Sequence, residues 1–198
     1  MDLIEYLEWT AIISGIASVW FSKKEKIWVY PTGLVGTILY VYLSFKGDLY
    51  GEAFVNLYYT VMSLYGWWNW QRRDHYNQKM VKVRFSSRAD WVQQITFFLI
   101  LFTVIYLSLL FIKNAFAPDA IPWADAFASA SALTAMWYMT KKKVESWIWW
   151  MITNIASIPL YYVKGFAATA IYYAILLVLA VFGYQEWKKR AYANLQAK

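Results

Sequence analysis

The 22 residues from Trp91 to Ile112 (WVQQITFFLILFTVIYLSLLFI) carry no charge and lie between two stretches of chain that repeat one another. A bilayer core needs roughly 20 apolar residues rising about 1.5 Å each, so this run is long enough to cross it as one helix. On its two sides, Trp20, Gly66 and Trp70 recur as Trp137, Gly183 and Trp187, each displaced by 117 positions, and Glu8 recurs as Asp125. The displacement becomes 118 for Lys46-Gly47 against Lys164-Gly165 and 119 for Trp28 against Trp147, as one short insertion and one short deletion would produce. Each copy holds three apolar segments. Three plus one plus three predicts an all-α integral membrane protein of seven helices, in which the single helix returns the chain to its starting side and both copies insert in the same orientation. The expected organisation is a first three-helix repeat over 1–75, a central linker helix over 91–112 and a second three-helix repeat over 118–190.

Composition excludes an ordinary soluble domain, since 61% of the 198 residues are hydrophobic and only 16% charged, against about 25% charged in such domains. The 21% aromatic content, with 13 Trp, suits side chains that bridge lipid and water. Without cysteine there is no disulfide and no thiolate metal site. The acidic start MDLIEYLEW lacks the basic region of a signal peptide, so the first helix is expected to stay. Spans are expected at about 4–21, 27–45, 51–70, 91–112, 121–139, 146–163 and 167–187. With the N-terminus outside, sixteen Lys and Arg fall in the inner loops and tail and three (Lys46, Lys113, Lys164) outside, which predicts a cytoplasmic C-terminus. The net charge of +7 is thereby a topology signal rather than a nucleic-acid footprint. The longest polar connection, Gln71 to Asp90, reads as an inner loop with an exposed strand-like piece, VKVRF.

Two helices carry polar and aromatic residues at helical spacing. In the third, Asn56, Tyr59, Ser63, Gly66 or Trp67, and Trp70 form one face; in the sixth, Trp147, Trp150, Asn154, Ser157 and Tyr161 do the same. An amide in hydrocarbon must find a partner, so Asn154 faces either a ligand cavity or a neighbouring helix, and Asn56 is open to the same two readings. Trp67, Trp68, Trp70, Trp147, Trp149 and Trp187 fall near the basic end, where most are expected to be interfacial anchors. Trp150 lies deeper and shares a face with Asn154, so the two could grip a flat heteroaromatic ring; a cationic ring would gain about 1–2 kcal/mol from the indole. Glu8 and Asp125 read either as attraction for a cation or as helix-start acids. The Gly-x-x-x-Trp ends, Gly66–Trp70 and Gly183–Trp187, occupy equivalent inner positions. The candidate gates are therefore Glu8 and Asp125 outside and Trp70 and Trp187 inside.

Other chemistry has little to stand on. There is no GxxxxGK[ST] loop for ATP, the single histidine, His75, lies in a loop, and the helices offer no metal ligand set. No catalytic residues, metal or cofactor are expected; the chain reads as a transporter rather than an intramembrane enzyme or a structural membrane module.

The YGWWNW ending of the third helix (Tyr65–Trp70), the ESWIWWMITN opening of the sixth (Glu145–Asn154) and the duplicated layout resemble the PnuC family of bacterial vitamin transporters along nearly the whole chain. The resemblance implies a SWEET-like seven-helix fold in the bacterial inner membrane, a homotrimer, and facilitated uptake of a small cationic aromatic vitamin that a cytoplasmic kinase traps. It carries ligand-lining roles onto Asn56, Trp67, Trp150 and Asn154; helical spacing adds Tyr59, Ser157 and Tyr161. Where nicotinamide riboside carriers of this family tend to have Gln, this chain has Asn56, and where they tend to have Asn before the last-helix Gly it has Phe182. With the short chain, these departures resemble the thiamine branch, PnuT. Thiamine is the expected substrate and nicotinamide riboside the alternative.

Overall fold

In the computed structural model, which describes residues 3–47, 50–116 and 120–196, the described residues form seven α-helices: α1 (Leu3–Lys23), α2 (Val29–Lys46), α3 (Tyr50–Gln71), α4 (Arg88–Phe116), α5 (Pro122–Thr140), α6 (Ser146–Val163) and α7 (Ala167–Gln196). The expected repeat boundaries at residues 1 and 118 lie outside the described residues. Helix starts and stops follow local chemistry. Pro122 opens α5, where a missing N–H costs nothing, and Asp125 accepts the Ile121 N–H at 2.6 Å. The α7 helix runs nine residues beyond the expected end because its tail has something to pack on: Ala191 is buried, Tyr192 meets Phe85 edge-on at 4.9 Å, and Asn194 donates to the Val83 carbonyl at 2.9 Å. That packing also corrects the reading of VKVRF as exposed. Val83 is fully buried, and Arg84 exchanges backbone hydrogen bonds with Lys142 and Val144 at 3.2 and 3.1 Å.

Six helices close a ring. α1 packs on α2, α2 on α3, α3 on α5, α5 on α6, α6 on α7, and α7 back on α1. The run that is central in sequence is peripheral in space: α4 stands outside the ring along α5, tied to α6 at the basic end by Gln94, whose amide accepts from the Trp149 indole at 2.8 Å and donates to Ser86 at 2.8 Å. Its remaining surface is apolar and open, with Val92, Leu99, Ile100, Val104, Leu107, Leu110 and Phe111 exposed. Such a face marks a contact with a membrane or another protein surface. By length and composition alone, α4 over Arg88–Ile112 and α7 are apolar enough to cross a membrane.

Contacts recur between equivalent positions in the two halves. The turn after α1 and the turn after α5 share their hydrogen bonds: Glu25 N–H to Ser22 at 2.9 Å matches Lys142 N–H to Met139 at 3.0 Å, and Lys26 to Phe21 at 2.9 Å matches Lys143 to Tyr138 at 3.1 Å. Glu25 and Lys142 both take left-handed backbone, φ 56° and 52°. Lys24 covers Trp20 as Lys141 covers Trp137, at 4.7 and 4.3 Å. The pairing of Trp28 with Trp147 is corrected here. Tyr30 is the equivalent of Trp147: each lies over a glycine, Gly66 or Gly183, that has no room for a Cβ, and each meets a tryptophan edge-on, Trp70 at 5.1 Å and Trp187 at 5.6 Å. Trp28 is exposed.

Candidate functional site

The interior of the ring is lined from α3 and α6, the two helices whose polar faces stood out in the sequence. Tyr59 of α3 and Trp150 of α6 meet across it, ring centroids 6.0 Å apart. Both are half-buried. One turn further along α6 is Asn154, 3% exposed, whose side-chain amide makes no hydrogen bond to any described residue. That amide keeps accessible surface, so water or a ligand can reach it. Ser157, 2% exposed, follows on the same face.

Beyond this level, away from the basic end, the lining becomes tyrosine-rich. Tyr161 stacks on Tyr173 of α7 at 5.2 Å and donates to the Glu52 carboxylate of α3 at 3.2 Å. Lys164 pairs with Asp125 at 2.7 Å, joining the α6–α7 turn to the start of α5. Asp125 is therefore both a helix-start acid and half of an ion pair, whereas Glu8 is exposed on α1 near Tyr40. No contact brings the two acids together. Asn56 is half-buried, but its amide donates to the Glu52 carbonyl of its own helix at 2.9 Å.

At the basic end the ring is closed. Trp70 and Trp187 meet at 5.9 Å, and each indole reaches into the other half of the chain: Trp70 donates to the Thr140 carbonyl at 3.1 Å, Trp187 to Ser22 at 2.9 Å. Trp67, half-buried, packs into this cluster with Val29, Tyr30, Met139 and Trp147. Trp70, Trp147, Trp149 and Trp187 are thus core residues and not interfacial anchors, being 4%, 1%, 7% and 0% exposed; the plug they form excludes water where an anchor would meet it. Trp68, 57% exposed, retains the anchor's position.

A buried ion pair caps the plug. The Lys142 ammonium, 1% exposed, is 2.5 Å from Glu25 and 4.5 Å from the Trp70 ring centre; Arg190 and Lys79 approach the same carboxylate at 3.2 and 3.7 Å. Burial pushes the Glu25 carboxyl up, but the charge and hydrogen bond of Lys142, helped by Lys79 and Arg190, bring it below the ordinary range. Burial pulls Lys142 down, against the opposing pull of Glu25. The sequence reading missed this pair and also Glu52 and Tyr173. The carboxylates carried a signal: Glu25 and Lys142 are 117 apart, and Glu52 falls inside the expected third span.

Among the described residues no group of His, Asp or Glu is placed to hold a metal ion. A tilted aromatic pair, the unpaired amide of Asn154 and a sealed end together suit reversible binding of a flat polar molecule.

Comparison with known proteins agrees with that description. The family model described as nicotinamide mononucleotide transporter matches residues 5–189. The nicotinamide riboside transporter PnuC of Escherichia coli (strain K12) is 26% identical over 93% of this chain and 85% of its own. The riboflavin/roseoflavin transporter RibM of Streptomyces davaonensis is 24% identical over 94% and 88%. A crystal structure of the vitamin B3 transporter PnuC superimposes with a TM-score of 0.76 at 25% identity, covering 95% of this chain and 83% of that one. None of these relatives is named for thiamine, so the substrate expected from Asn56 and Phe182 gains no support; their names favour the alternative, nicotinamide riboside. With the family model spanning nearly its whole length and the fold matching end to end, the chain belongs to the PnuC family of vitamin transporters.

Proposed function

We propose that the protein carries nicotinamide riboside across the bacterial inner membrane by facilitated diffusion, the product being trapped inside by a kinase. The observation that carries this reading is the unpaired amide of Asn154, buried beside the Tyr59–Trp150 pair: a hydrogen-bonding wall next to an aromatic one, at the centre of a helix ring, receives a flat heteroaromatic ring with polar substituents. Ser157, Tyr161 and Trp67 extend the lining above and below. All seven helices cross the membrane as a 3+1+3 arrangement of parallel repeats, a reading supported by the recurrence of contacts at a displacement of 117 between Glu25 and Lys142 and between Tyr30 and Trp147. The basic end faces the cytoplasm, following the distribution of Lys and Arg. The state described is closed there by Trp70 and Trp187.

Calorimetric titration of the purified protein with nicotinamide riboside, thiamine and riboflavin tests the reading. Nicotinamide riboside should bind and the other two bind at least tenfold more weakly. Tighter binding of thiamine would return the assignment to the other branch, and binding of none would remove it.

A further inference from the structure

Glu52 is exposed and accepts a hydrogen bond from Tyr161 across the ring, the position of a side chain at the mouth of a vestibule. It lies two helical turns from Tyr59 along α3, and Tyr161, which donates to it, lies two turns from Asn154 along α6. The pair therefore spans the ring about 10 Å beyond the Tyr59–Trp150–Asn154 level. Lys164 attracts the carboxylate from a distance and Asp125 opposes it, so no ion pair neutralises Glu52. Lys164 is engaged by Asp125 at 2.7 Å, Lys46 leans over Tyr42 at 5.8 Å, and Glu8 and Asp125 add charge of the same sign at this end. No described cation comes within ion-pair distance of Glu52, while the phenol groups of Tyr40, Tyr161 and Tyr173, from three helices, lie near enough to feel its charge. A carboxylate without an ion-pair partner attracts a cation and gives a neutral ring no such gain.

We infer that Glu52 is a specificity-determining residue of this transporter, selecting positively charged aromatic vitamins over neutral ones at the vestibule. The inference rests on the reading of the ring interior as the vitamin path. It matters because the relatives include carriers named for a cation, nicotinamide riboside, and for a neutral flavin. A unit charge about 10 Å away in an effective dielectric near 20 corresponds to roughly a tenfold to twentyfold preference.

The test compares nicotinamide riboside with its reduced dihydro form, which keeps the ribose and amide but has no charge. Wild-type protein should bind the cation at least tenfold more tightly, and raising salt should weaken the cation alone. Glu52→Gln should remove about tenfold from nicotinamide riboside and change the neutral form less than twofold, with Glu52→Asp restoring most of the loss. Equal losses for both forms, or equal wild-type affinity for both at low salt, would overturn the inference even if nicotinamide riboside binds. If thiamine proves to be the substrate, the substrate assignment fails and the same comparison is made between thiamine and riboflavin; a wild-type preference for riboflavin overturns the role of Glu52, as does binding of none. Should Glu52→Gln not fold, the charge preference and salt response of the wild type decide.

Discussion

Removing Glu25 should destabilise the protein more than removing the lysine it pairs with. Glu25→Gln leaves the Lys142 ammonium, 1% exposed, without a carboxylate, and stranding a buried charge costs about 3–5 kcal/mol. Lys142→Met leaves a carboxylate that is 13% exposed and still has Arg190 and Lys79 at 3.2 and 3.7 Å, so about 1–2 kcal/mol is expected from the lost charged hydrogen bond. At about 2–4 °C per kcal/mol for a chain of this size, the thermal midpoint should fall roughly 6–20 °C in the first case and 2–8 °C in the second. The double variant should be more stable than Glu25→Gln alone, since no charge is then stranded. Raising pH should also recover part of the Glu25→Gln loss, because burial already lowers the Lys142 pKa and a neutral amine needs no partner. The assay is thermal unfolding in detergent followed by intrinsic tryptophan fluorescence. A Glu25→Gln effect no larger than that of Lys142→Met, or a double variant worse than either single, would refute the argument.

Trp150→Ala and Asn154→Ala should each weaken nicotinamide riboside binding at least tenfold, about 1–3 kcal/mol, while Trp68→Ala leaves it within threefold; calorimetry on folded protein checks this. Gly183→Ala puts a methyl 2.5 Å from the Trp147 ring and should cost about 1–3 kcal/mol of stability, whereas Gly51→Ala, which meets nothing within 4 Å, should be neutral or slightly stabilising in the same melt. Because the Glu25 carboxyl is held below 4.5, its contribution is complete above the unfolded value and fades as pH falls through the folded one, so wild type should lose stability below about pH 5 more steeply than Glu25→Gln. Vesicles loaded with kinase and ATP should accumulate product while empty vesicles only equilibrate; uphill uptake into empty vesicles on a proton gradient would contradict facilitated diffusion.

Helix number and most boundaries were legible because apolar runs and basic gaps are long-range features that tertiary packing does not move. The exceptions have physical causes. The end of α7 lies beyond Trp187 because Ala191 and Asn194 find partners in the loop at Val83, contacts between segments about a hundred residues apart. The tryptophans were misread because composition places Trp at an interface, while here Trp147 fills the space over Gly183; the companion spacing of Tyr30 over Gly66 was the sign that these rings are packing units. At the site, the α3 and α6 faces were visible from spacing, and Tyr59 does meet Trp150. Asn56 shares that spacing but turns to its own helix, a choice of rotamer that no periodicity encodes.

The contact between Glu25 and Lys142 joins two positions 117 apart, which would be one residue in a shorter ancestor if the halves arose by duplication. Where such an ancestor assembled from two identical chains, that position would face its own copy: glutamate against glutamate in one version, lysine against lysine in the other, both repulsive inside a closed plug. Fusion lets the copies differ, and opposite charges can then settle at a site where symmetry forbids them. Ser22 and Met139, in contact at 3.2 Å and also 117 apart, are an uncharged pair of the same spacing. The halves of this chain have become complementary rather than interchangeable, so a protein built from two first halves or two second halves should fail to close at its basic end even though every helix in it is native.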